Sequence, residues 1–548
     1  VKSTGTVLCI SAGNETTAGY GNAFGLNANL TTNPDNGVLG SPGSYANAMS
    51  VASVENVSVI SDYISVGGSY NITYVDASNG QNPLFKTLAG QAYQVVAVPG
   101  TGTPEEFGEV NVEGKIALVQ RGNISFTEKC ENAKTAGAVA CLVYNNEPGV
   151  IRMDLNKSPV DIPCASITML SGAYILEQLA QNPNLTLEAG AEAGVVPSET
   201  AYQMSDFSSW GVTPSLTLEP DITAPGGNIY STVDGGGYGV MSGTSMASPN
   251  LAGISALVKE YATSADGLGY ADGAEVNALV RALLMSTSVP LEHPDGLYYS
   301  PRNQGSGLAN AYNAVTTKAY LSVDGCDVPK VELYDDPGKV GAYNYSFQVH
   351  NFGDETLYYG LNTVAQTEGV NVVEGVNFMS STPKALGAAT AETASAMVYT
   401  HDVNGSSVCD SYDAYWIYQA VSGRALDEKW TDVTFRYNTT ADEEVTEDDV
   451  QAYLDALVGL ESEADLEAQV LEVKAGETQT VNVSVNLSED DRSYFAAYYP
   501  NGGYVEGYTF LDACNAQGID LSLPYLGFYG DWTAAPLFDG DNENPDTH

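Results

Sequence analysis

The sequence predicts an α/β protein: a parallel-sheet domain, interrupted by a second α/β unit and followed by an antiparallel β-sandwich. Three observations predict it. Short runs at 6–12 and 48–54 are apolar on both faces and bounded by glycine, as strands of a helix-covered parallel sheet must be. Residues 205–318 resume that style, with apolar helices expected at 251–258 and 276–285. From about 319 the runs at 343–349, 470–473, 480–485 and 504–510 alternate with period two, as half-buried antiparallel strands do.

At 548 residues the chain exceeds one core, so several domains are expected. The sheet domain takes 1–80 and 199–318. Residues 81–198 form the interrupting unit: 112–122 reads as turn, strand, turn, 126–136 as a helix, and 141–144 as a strand. The sandwich takes 319–400 and 463–548. Within it, 401–462 is acidic and helical and reads as an insertion.

Composition excludes some functions. Asp and Glu number 68 against 20 Lys and Arg, a formal charge of −48. That field repels phosphate backbones and anionic lipid, so no nucleic-acid partner is expected. No apolar run approaches the ~18 residues of a membrane span. Seven scattered cysteines with no C-x-x-C pair fit neither a disulfide scaffold nor a zinc site. Cys130, Cys141 and Cys164 share the interrupting unit, where one bridge could form. Val1 opens the chain just ahead of a core strand, without a signal peptide, so a fragment or processing boundary is expected there.

The segment Gly243-Thr-Ser-Met-Ala-Ser-Pro-Asn-Leu-Ala-Gly253 carries the chemistry. It sets Ser245 on a small-residue turn ahead of an apolar helix expected to begin near Pro249. A serine hydroxyl is a weak nucleophile until a base takes its proton, and helix-terminal N–H groups can stabilise an oxyanion beside it. The G-x-S-x-G elbow of α/β-hydrolases does not fit, because its last glycine is Ala247 here.

This segment resembles the nucleophile signature of subtilisin-like serine proteases. Further matches are Ile10-Ser-Ala-Gly-Asn14, Phe207-Ser-Ser-Trp-Gly211, Leu218-Glu-Pro-Asp-Ile-Thr-Ala-Pro-Gly-Gly227 and Ser300-Pro-Arg-Asn-Gln-Gly-Ser-Gly307. They resemble the cell-envelope proteinase branch, which includes lactocepins and complement-cleaving surface peptidases. The resemblance implies a subtilisin-like catalytic domain in which Ser245 is the nucleophile. Asn14 and the Ser245 N–H then hold the oxyanion. It also implies a protein or peptide substrate, no cofactor for catalysis, and an extracellular, secreted or surface-attached setting. Residues 81–198 resemble a protease-associated domain, an element of substrate access or a packing module. The sandwich resembles a fibronectin type III-like domain.

Half of the catalytic set is not in this sequence. The histidines are His293, His350, His401 and His548, all after Ser245, whereas the family places both Asp and His before the strand that carries Asn14. Asp62 follows Asn14 and so cannot be the triad aspartate. Two readings follow. Either an N-terminal catalytic segment supplies Asp and His, and this chain alone is nearly inactive, or the protein is a non-catalytic adhesion or scaffold descendant of a protease. Retention of both Ser245 and Asn14 favours the first.

The insertion suggests calcium. Asp402, Asn404, Ser406, Asp410 and Asp413 stand at loop positions 1, 3, 5, 9 and 12, with the Val408 carbonyl at 7. Asn438, Thr440, Asp442 and Asp449 form a poorer second copy at 1, 3, 5 and 12. Two loop–helix units in tandem resemble a dockerin module; an acidic, solvated helix pair is the alternative. Because the pair is embedded in the chain, structural use is expected rather than capture of a cohesin-type partner.

Overall fold

The computed structural model describes residues 4–19, 28–78, 82–155, 158, 160–387, 389–393, 396–399, 401–403, 406, 409–422, 446–457, 469–515 and 518–534. They form two compact units. One comprises 1–54, 203–227 and 242–548, the other 55–202 and 228–241.

In the first unit, strands Cys9–Ser11, Met49–Glu55 and Ile222–Gly227 lie side by side, the first two parallel with Cys9 opposite Met49. Helices Thr244–Thr263 and Ala274–Ser286 cover them. Met49, Val51 and Ile222 from the strands meet Leu251, Val258, Val280 and Leu284 from the helices in one core. Each such side chain, once buried, contributes roughly 1.5–3 kcal/mol. This packing takes one apolar face of 48–54; Ala52 and Val54 on the other face pack with Met204, Leu291 and Tyr299.

Further along the unit, Ala319–Ser322, Ala342–Asn351, Thr478–Asn486 and Ala389–Glu392 form a four-stranded antiparallel sheet. A seven-stranded sheet contains Val331–Asp335, Leu521–Tyr529, Gly503–Ala513, Leu357–Val373, Gln469–Val473, Met397–Tyr399 and Val376–Ala385. Alternate residues point inward: Val481, Val483 and Val485 of one sheet share a core with Tyr359, Leu511 and Leu523 of the other. Helices Ser411–Val421 and Glu447–Leu457 lie within the acidic stretch and pack Ile417 against Tyr453.

A largely buried cation, Lys330, lies where this β-rich part meets the parallel-sheet part of the same unit. Lys330 donates to the Leu218 carbonyl (2.6 Å), Glu219 Oε1 (3.0 Å) and Asp221 Oδ1 (2.9 Å), with Glu332 at 3.9 Å. Three carboxylates thus share one ammonium. Burial, with Asp221 adding to it, pushes Glu219 up to about 8 despite Lys330. A carboxyl raised this way favours the folded state most below its unfolded value, and that stability is lost as pH rises through about 8. Tm should therefore be higher at pH 5 than at pH 8.5. Glu219→Gln should flatten that slope, and an unchanged slope would assign the effect elsewhere.

The second unit is built on an eight-stranded sheet. Its parallel centre is Tyr93–Ala97, Ile116–Gln120, Ala140–Tyr144 and Cys164–Ile167. Tyr63–Val66, Tyr70–Thr73, Val75–Asp76 and Thr186–Ala189 complete it. Helices Phe126–Thr135 and Met169–Gln181 start at side-chain caps on Ser125 and Thr168. The unit thus begins at 55 rather than 81, because the strands at 63–76 pair within its sheet. The hairpin Ile229–Val233 with Gly237–Met241 groups with it as well. Cys130, Cys141 and Cys164 are buried together there as free thiols.

Candidate active site

The helix carrying Ser245 starts at Thr244, five residues before Pro249. Its start is fixed by a residue 230 positions away. Asn14 Oδ1 accepts the Thr244 N–H and the Thr244 hydroxyl, both at 2.9 Å. The same hydroxyl accepts the Gly13 N–H at 3.2 Å. Asn14 therefore does for this helix what a local N-cap side chain does elsewhere.

These bonds settle which way the Asn14 amide faces. A backbone N–H can only donate, so the atom opposite Thr244 must be the amide oxygen. The Nδ2 donor is left on the other side. A Cβ placed on Gly243 would sit 3.3 Å from Asn14 Nδ2 and 3.6 Å from the Ser245 nitrogen. Two N–H donors thus border one small space that only glycine leaves open. Gly243 also has φ 157°, which L side chains rarely adopt. Ser245 is exposed, while Gly243 and Thr244 are buried.

The remaining motifs brace this arrangement. Gly226 accepts the Gly243 N–H at 2.9 Å, and a Cβ there would strike the Gly243 carbonyl and Ser53 Oγ. Ser209 donates its N–H to the Gly13 carbonyl, and its hydroxyl accepts the Glu15 N–H. Thr16, held at φ 59°, donates to the Phe207 carbonyl and accepts from Trp210 N–H. Phe207-Ser-Ser-Trp-Gly211 is therefore the strip against which the Asn14 loop is laid. Thr244, Gly243 and Ser209 were not singled out from the sequence. Their work is visible only once distant strands are paired.

The histidines lie elsewhere. His293 pairs with Asp295 at 3.5 Å and meets Tyr299 edge-on. His350 lies between the Ser322 and Thr478 hydroxyls, stacked on Tyr320. His401 is buried against Tyr453, and His548 is outside the described residues. Among the described residues no side chain is hydrogen-bonded to the Ser245 hydroxyl.

Part of the expected calcium set can be located. Asp410 and Asp413 close a capping box on the helix Ser411–Val421, Asp402 accepts the Ser406 N–H, and Asp449 accepts the Thr446 N–H. Asn404, Val408, Asn438, Thr440 and Asp442 lie outside the described residues. Among the described residues no three His, Cys, Asp or Glu side chains are grouped to hold a metal ion. No helix among them is long and apolar enough to cross a membrane.

Comparison with known proteins agrees with the resemblance drawn from the serine and asparagine motifs. A PII-type proteinase of Lacticaseibacillus paracasei is 26% identical over 98% of this chain and 25% of its own length. A PI-type proteinase of Lactococcus lactis subsp. cremoris is 26% identical with the same coverage. A C5a peptidase of Streptococcus pyogenes serotype M1 is 31% identical over 68% of this chain and 30% of its own. The chain thus spans about a quarter of the length of the curated proteinases it matches. The model of the subtilase family, Peptidase_S8, matches residues 2–315, more than half of the sequence, and the chain belongs to that family.

Proposed function

We propose that Ser245 is the nucleophile of a serine endopeptidase acting on extracellular proteins, with Asn14 Nδ2 and the Ser245 N–H holding the oxyanion. The observation that carries this reading is the double acceptance at Asn14 Oδ1, which leaves the Asn14 amide nitrogen bordering the same point beside Gly243 as the Ser245 nitrogen. A neutral amide suits that work because it cannot be titrated away.

On this reading the reaction is acyl transfer through Ser245. The Ser245 oxygen adds to the scissile carbonyl as a histidine takes its proton, and the carbonyl oxygen becomes an anion between the two donors. Collapse expels the amine, which takes the proton from the histidine, and water repeats the sequence on the acyl-enzyme. The histidine, and the aspartate that orients it, are assigned to an N-terminal catalytic segment, as the motif order of the family implies. The unit from 55 is assigned the part of a protease-associated domain in substrate access. The paired sheets beyond 319 are assigned that of a fibronectin type III-like brace.

The test is labelling by a fluorophosphonate after this chain is combined with the segment that carries Asp and His. Label on the Ser245 peptide is expected. A folded complex that never labels would instead make the protein a non-catalytic binder in a secreted or surface setting.

A further inference from the structure

Two residues beyond Asn14 the chain enters the wall of a cavity of about 460 Å³, within the range of ligand sites. Thr16, Asp206 and Trp210 line one side, the strip already seen bracing the Asn14 loop. The other side comes from the far part of the chain, where Glu368 and Met379 line it. The two sides are stapled by backbone: Met379 N–H donates to the Asn29 carbonyl (2.8 Å) and Thr31 N–H to that of Asn377 (3.1 Å). The β-rich part therefore builds half of a cavity whose other wall the chain enters two residues after the candidate oxyanion donor.

Among the described residues the lining carries the carboxylates of Asp206 and Glu368 and no Lys or Arg. The basic group among them is His293, which burial holds below the ordinary histidine value even with Asp295 beside it. Behind the wall, Arg302 lies 2.9 Å from Glu368 and 2.8 Å from Glu506. One guanidinium thus serves two buried carboxylates, and burial raises Glu368 above the ordinary carboxylate value despite Arg302. A second cation beside Glu368 would favour its ionised form.

We propose that this cavity receives a cationic side chain, Lys or Arg, of the peptide substrate. The proposal rests on the protease reading above and adds the substrate class that the site selects.

Because Trp210 lines the cavity, its fluorescence can report occupancy without any catalysis. The chain is titrated with acetyl-arginine methylamide, with its uncharged citrulline counterpart and with acetyl-glutamate methylamide. A saturable change with the arginine compound, at least tenfold tighter than with citrulline, and none with glutamate, is expected. Asp206→Asn, at an exposed position, should weaken arginine binding several-fold with the fold intact, and Glu368→Gln should abolish the preference. Equal binding of arginine and citrulline, or no saturable change, overturns the proposal. A second arm measures kcat/KM of the assembled protease on peptides bearing Arg, Lys or citrulline. Arginine binding without cleavage sinks only the protease reading, whereas cleavage without a charge preference sinks only the cavity.

Discussion

Ser245→Ala is expected to lower kcat of the assembled protease by about 10⁶, the scale seen when a nucleophilic serine is removed. Asn14→Asp is expected to cost about 10²–10³, the scale known for this family rather than one calculated from the geometry. The aspartate variant separates the cap that Asn14 supplies from the oxyanion role proposed for it. It keeps an oxygen to accept the Thr244 N–H and hydroxyl. A carboxylate at a helix N-terminus is also favourable by about 0.3–1 kcal/mol, so Tm should hold or rise. What it loses is Nδ2, replaced by a negative oxygen facing the charge that develops in the transition state. KM should change little, since that interaction is absent from the ground state. Asn14→Leu should lose both tasks, adding to the kinetic defect roughly 0.5–2 kcal/mol of stability from the missing cap. An Asn14→Asp enzyme with wild-type kcat would remove Asn14 from the oxyanion site. Turnover persisting in Ser245→Ala would point to another nucleophile.

The parts of this molecule that were legible in the sequence are those decided locally. A run apolar on both faces, such as 48–54, can hardly be anything but a covered strand, and the serine segment is specific by composition alone. What escaped was decided by partners far along the chain. The serine helix starts at Thr244 rather than near Pro249, where proline's fit to a first turn would begin it, because its cap arrives from Asn14. The second unit begins at 55 rather than 81 because 63–66 pairs with 186–189 and 75–76 with 164–167, pairings that leave no local mark. The loop at 402–413 shows how one pattern serves two ends. Asp410 and Asp413 satisfy an EF-hand spacing and equally the three-residue spacing of a capping box. Buried charges were the hardest to foresee, since Arg302 and Lys330 look like surface residues until their carboxylate partners are placed around them.

Arg302→Met should destabilise the protein by about 3–5 kcal/mol, the cost of breaking a buried ion cluster by removing one partner. Against total stabilities of roughly 5–15 kcal/mol this approaches unfolding. Arg302 is fully buried. It donates from Nε to Glu506 (2.8 Å) and from Nη1 to Asn36 (3.1 Å), pairs at Nη2 with Glu368 (2.9 Å), and lies 3.6 Å over the Tyr504 ring. These partners come from the parallel-sheet part and from two strands of the larger sheet, so one side chain ties them together. Burial already raises Glu368 above the usual carboxylate range, opposed by Arg302 and reinforced by Glu506. Without the guanidinium Glu368 should be held higher still. The sign of the pH effect follows: protonated carboxyls are tolerated in the folded state, so the variant's deficit should shrink below about pH 4.3 and grow as pH rises. Arg302→Lys keeps the charge but cannot fork to three partners or stack flat on Tyr504, so an intermediate loss is expected. The sharpest comparison adds Glu368→Gln and Glu506→Gln to Arg302→Met. Removing the orphaned charges should recover much of the loss, because the cost lies in unpaired carboxylates rather than in missing packing. Denaturant melts of the three variants decide it: a single Arg302→Met variant within about 0.5 kcal/mol of wild type, the range of ordinary surface changes, would show that the cluster does not hold these elements together.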